Sequence, residues 1–139
     1  MATLPIIKEE TIQKTILQWV SQQPEKDSYL LCYHIENELP MSNVIKKALG
    51  DKFWSFIKMR KQMGLRQGVA DLHFPNLLCY LELKNEKGKL SEKQKEFIEQ
   101  VKMSHDVFVP RSSFEAVQIL KKRMDVFKKM REGQKDVDR

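Results

Sequence analysis

The chain has 139 residues, the size of one domain with room for a core, and 41% of them are hydrophobic against 32% charged. No apolar run approaches the roughly 18 residues of a membrane span, and MATLPIIKEET lacks the basic-then-apolar pattern of a signal peptide, so neither a membrane partner nor export is expected. Twenty-five Lys and Arg against nineteen Asp and Glu leave a net charge of +6, which favours anionic partners without requiring nucleic acid.

Ile12, Ile16, Leu17 and Val20 form one stripe at helical spacing, predicting a helix over 8–21. Glu9 and Glu10 fall in its first turn, where the helix dipole favours negative charge. Pro24 breaks the pattern, and the aromatic and aliphatic run SYLLCYHI (28–35) reads as a buried strand. The polar ENELPMS follows, with Ser42 or Asn43 able to cap a helical segment over 43–63 that Gly50-Asp51 divides in two. That segment carries Lys46, Lys47, Lys52, Lys58, Arg60 and Lys61 on its polar side.

Two strands are expected at 69–74 and 77–84, joined at Pro75-Asn76, then a turn on Gly88. Ser91 with Gln94 three residues later is a capping box opening a helix of about three turns. HDVFV reads as a last short strand, and Ser112 with Glu115 as a second capping box starting the final helix. REGQKDVDR loses all periodicity, so 131–139 is expected to be a disordered tail behind one domain over 1–130. Cys32 and Cys79 lack a CxxC partner or a His at ligand spacing and read as buried thiols of a reducing compartment. The order is α-β-α-β-β-α-β-α: an α/β domain with a mixed sheet.

Three charges stand inside the predicted hairpin. Side chains alternate along a strand, so Glu82 and Lys84 share a face with Tyr80, and the hairpin can bring Asp71 beside Glu82. Two neighbouring carboxylates repel unless a proton or cation lies between them, and a hard divalent ion meets that need. An exposed strand face with an ordinary Glu–Lys pair accounts for the same residues, and spacing alone favours it.

The motifs around these residues add a resemblance. Glu10-Thr-Ile-Gln13, YHIENE (33–38), MGLRQGVADLHF (63–74), LELK (81–84) and KLSEKQ (89–94) occur in the order found in the VRR-Nuc family of the PD-(D/E)xK nuclease superfamily. The chain resembles that family from about Glu10 to Glu115, and the resemblance implies an αβββαβ core with a mixed central sheet flanked by helices. It implies catalytic roles for Asp71, Glu82, Lys84, Glu10 and Gln94. The expected ligands of Mg²⁺ or Mn²⁺ are Asp71, Glu82, Glu10 and the backbone carbonyl of Leu83. Ala70 stands where the superfamily name has Pro, and ENELPMS lacks the glycine-rich or Arg-bearing turn often found after the family's Asn.

The activity so implied is that of a metal-dependent DNA endonuclease, a structure-selective enzyme of the Holliday junction resolvase kind. It would act as a homodimer on branched DNA in the cytoplasm of a bacterium or phage-infected cell. Arg66, Lys46, Lys47, Lys58, Lys61, His34 and Asn37 are the candidate DNA contacts. The competing readings are a non-catalytic basic DNA-binding or recombination accessory protein on the same fold, and a restriction-type endonuclease.

Overall fold

The computed structural model describes residues 5–35, 43–62 and 68–137; side chains at 43–45, 57, 60, 61 and 135–137 lie outside that description. Helix α1 (Glu9–Ser21) is followed by strand β1 (Tyr33–His34), helices α2 (Asn43–Leu49) and α3 (Lys52–Gln62), and strands β2 (Leu72–Phe74) and β3 (Cys79–Leu81). Helix α4 (Glu92–Val101), strand β4 (Asp106–Phe108) and helix α5 (Ser113–Val137) complete the chain. The sheet order is β1-β2-β3-β4, antiparallel between β1 and β2 and between β2 and β3, parallel between β3 and β4. The parallel pair needs a crossover, which α4 supplies.

Strand alternation sorts the sheet into two faces. Leu72, Phe74, Cys79, Leu81 and Leu83 turn to one side and are fully buried against Ile12 and Ile16 of α1 and Ala116 and Leu120 of α5. His73 and Tyr80 turn to the other, where the Tyr80 ring meets Phe97 of α4 edge-on at 5.0 Å. On that side the His73 ring stacks on Tyr80, and its Nε2 lies 3.2 Å from His105 Nε2. Both cysteines are free, and burial pushes each thiol up to about 12.

Four expectations need correction. The apolar run 28–35 is a strand only at Tyr33–His34; its first half folds into turns closed by Leu30 N–H to the Glu25 carbonyl, with Leu30 fully buried. Burial produced that apolar run, and a short run does not distinguish strand from turn. The hairpin link is longer than Pro75-Asn76: a 3-10 turn over Pro75–Leu77 ends at Leu78 in the left-handed region (φ 48°). The second capping box is half formed, because Ser112 Oγ accepts from Glu115 N–H while the Glu115 carboxylate accepts from Arg111 N–H instead of Ser112. Finally, α5 continues through the expected disordered tail to Val137. Lys, Arg, Glu and Gln are good helix formers, so the loss of apolar period removes packing but not the helix.

Candidate active site

The carboxylates are placed by register. Leu72 pairs with Leu81, so the next step outward sets Asp71 opposite Glu82 on one face. Beyond the ladder the backbone remains held: Ile35 N–H donates to the Asp71 carbonyl, Glu82 N–H to Phe108 and Lys84 N–H to Pro110. Asp71 is further oriented by Leu83 N–H, which donates to its Oδ2 at 2.8 Å.

Glu82 is only 3% exposed. Its Oε1 accepts from Gln94 Nε2 at 2.6 Å and lies 3.7 Å from Lys84 Nζ, while Oε2 is buried with no partner among the described residues. Gln94 is fixed from its other end, its Oε1 accepting from Ser91 N–H at 2.8 Å in a complete capping box at the start of α4. Burial, then repulsion from Asp71, push the Glu82 carboxyl up to about 8 despite Lys84. Asp71 is also raised, chiefly by burial, with the Leu83 N–H opposing and Glu9 adding repulsion.

An open cleft of about 440 Å³ leads to Asp71 and Leu83, with Glu9, Glu10, Gln13, Lys14 and His34 along it. Glu10 lines the cleft but is 74% exposed and ion-paired to Lys14 at 2.9 Å, which holds its carboxyl below the usual range. The neighbouring Glu9 is half-buried and is the carboxylate of this helix whose charge reaches both Asp71 and Glu82. The sequence contained that signal: Glu9 lies three residues before Ile12, on the inward stripe of α1. His34 Nδ1 sits 3.2 Å from both Gln13 Nε2 and the Asp71 carbonyl, at the rim of the cleft.

A second residue passed over in the sequence is Arg111. Its Nη1 donates to the carbonyls of Asn85 and Gly88, tying down the turn that follows Lys84. A Cβ at Gly88 would stand 3.1 Å from Lys84 Cδ and 3.2 Å from Glu9 Oε1, so this turn walls in the lysine stem. No sequence motif marks Arg111. Of the expected DNA contacts, Lys46, Lys47 and Lys58 are exposed on α2 and α3; the side chain of Lys61 and all of Asn37 and Arg66 lie outside the described residues.

Two carboxylates driven towards protonation, one with a buried unpartnered oxygen, are a site that a cation would relieve. Among the described residues no three His, Cys, Asp or Glu side chains gather as a metal site. The available donors are therefore two carboxylates and the Leu83 carbonyl, with water to complete the shell, a set that suits Mg²⁺. The residues fit the ion.

The mixed sheet, the flanking helices and the hairpin that sets Asp71 opposite Glu82 define an α/β domain with a carboxylate pair at one end of its sheet. A solved structure described as a VRR_NUC domain protein superimposes with a TM-score of 0.63 at 18% identity, covering 88% of this chain and 92% of that one. The chain thus has the VRR-Nuc fold. No protein-family model matches the sequence, and no curated protein matches it.

Proposed function

We propose that this protein is a divalent-metal-dependent endonuclease hydrolysing phosphodiester bonds in DNA, acting as a homodimer with a preference for branched substrates. The observation that carries the reading is Glu82: a buried carboxylate with an unpartnered oxygen beside Asp71 and a half-buried lysine. A structural role alone would favour an apolar residue there, since burying charge costs several kcal/mol or more.

Asp71, Glu82 and the Leu83 carbonyl would hold Mg²⁺ or Mn²⁺, with Glu9 or Glu10 approaching from α1. The bound ion would supply a more acidic water and offset charge on the attacked phosphate. Gln94 fixes the direction of the Glu82 carboxylate through the 2.6 Å bond, and the Leu83 N–H does the same for Asp71. Lys84 Nζ, near Glu82 Oε1, is positioned to orient the attacking water or hold a phosphate oxygen. A two-fold dimer suits a four-way junction because it sets two such sites on opposing strands.

Purified protein should cut a four-way junction in Mg²⁺ or Mn²⁺ faster than the linear duplex arms, and Asp71→Ala and Lys84→Ala should each reduce cutting by about 100-fold or more. Intact junction, fork and duplex in both metals would refute the reading. Full activity in either variant would refute the assigned roles.

A further inference from the structure

Helices α2 and α3 pack chiefly against each other. Residues 43–62 contain six Lys and Arg and a single acid, Asp51. Gly50 turns the chain between them with φ +52°. At the start of α3 two aromatic residues go opposite ways: Phe53 is 5% exposed, whereas Trp54 is 72% exposed. The two rings meet edge-on at 5.3 Å, and Lys46 Nζ covers the Phe53 ring at 5.5 Å. Phe53 is thus a fixed base from which the indole of Trp54 is held out to solvent. Lys58, one turn further along the same face, is exposed, as are Lys46, Lys47 and Lys52.

A tryptophan presents 150–250 Å² of largely apolar surface, roughly, which water solvates poorly. Its occupant must accept a flat aromatic face and satisfy the exposed lysines of the same two helices. A second copy of this chain fails the second requirement, because a two-fold contact through Trp54 would bring two sets of lysines together. Single-stranded nucleic acid meets both, with bases for the indole and phosphates for the lysines. A blunt duplex meets only the second, because its bases are stacked on each other.

We propose that Trp54 is a base-stacking residue through which the α2–α3 unit recognises unpaired bases at forks and branch points. The proposal rests on the nuclease reading and adds to it a feature that favours branched DNA carrying unpaired bases over duplex.

The test uses the full-length protein in EDTA and again with Ca²⁺, titrated with a fork bearing single-stranded arms, a four-way junction and a blunt duplex of the same sequence. The chain has two tryptophans, and Trp19 packs against the core, so Trp19→Phe leaves Trp54 as the reporter. The fork should quench its emission strongly and the duplex little. Trp54→Ala should weaken fork binding by about 5- to 100-fold and duplex binding by less than about twofold, and Trp54→Phe should restore most of the loss. Equal weakening on all three DNAs, or no quenching, overturns the proposal while leaving the nuclease reading intact. Conversion of a dimer to a monomer by Trp54→Ala in light scattering also overturns it, assigning the indole to a second copy. Failure to bind any of the DNAs in either buffer overturns the nuclease reading and this inference with it.

Discussion

Replacing Glu82 with Gln should stabilise the metal-free protein, an unusual direction for a change at a buried polar residue. The carboxyl moves from an ordinary 4.5 to about 8 on folding. The groups facing it are Asp71, Glu9, Lys84 and the Gln94 amide. Because the folded value is raised, the folded protein holds a proton that the unfolded chain releases. The associated stability is complete below pH 4.5 and is lost as pH rises through about 8. At 1.36 kcal/mol per pH unit the loss is about 3 kcal/mol at pH 7 and about 5 kcal/mol at pH 9. Glu82→Gln has the shape of the protonated acid and cannot ionise, so it should avoid the whole loss. In EDTA at pH 7 its midpoint should lie about 10 °C above the parent's, with the gap closing towards pH 4.5. Thermal unfolding followed by circular dichroism across pH 4.5–9 measures this directly. Addition of Mg²⁺ should then stabilise the parent, by about 1.4 kcal/mol for each tenfold excess over its dissociation constant, and leave the variant's midpoint unmoved. A variant less stable than the parent at pH 8, or one that tracks the parent's profile, would refute the reasoning. It would mean that Glu82 stays ionised and compensated within the fold.

Gly68→Ala should cost about 3 kcal/mol or more in urea unfolding, because φ is +85° and the new methyl would lie 2.3 Å from the Lys93 carbonyl oxygen, a backbone atom that moves only if α4 does. Gly88→Ala should behave differently: the nearest atoms to its methyl belong to the side chains of Lys84 and Glu9, at 3.1 Å and beyond, so stability should change by less than about 1 kcal/mol. Displacement of the lysine should nevertheless lower single-turnover cleavage by about tenfold. His73 is lowered by burial and by His105, so its contribution is complete above pH 6.5 and is lost as pH falls. The urea midpoint should therefore decline on the acid side, and His73→Phe should flatten that decline.

The carboxylate pair was legible because strand alternation and a hairpin are local rules: once 71 and 82 are on adjacent strands, their register follows from the buried leucines beside them. The burial of Glu82 was not legible, since it depends on α4 returning over the sheet and on Gln94 reaching it across twelve positions of sequence. Spacing alone favoured an exposed face at Glu82 and Lys84, and the exposure of 3% shows the opposite for Glu82. The choice between Glu9 and Glu10 turned on one residue of helical phase. Both satisfy the dipole, and only the stripe through Ile12 and Ile16 tells which turns inward. Arg111 acts on two backbone carbonyls, and carbonyls leave no trace in residue identity. The helix to Val137 was missed because periodicity detects packed helices, whereas the exposed residues 131–134 are helical without packing.

Position 94 answers to two selections at once. A capping box is content with either Gln or Glu at its fourth residue, since both offer an oxygen to the N-cap amide. The other end of this side chain must give a hydrogen to Glu82, which only the amide has. Glutamate at 94 would therefore leave the helix start whole while crowding a third carboxylate onto the pair, a replacement neutral to helix capping and costly at the site. The tolerance of this position to Glu thus measures what the carboxylates require, separately from what the helix requires.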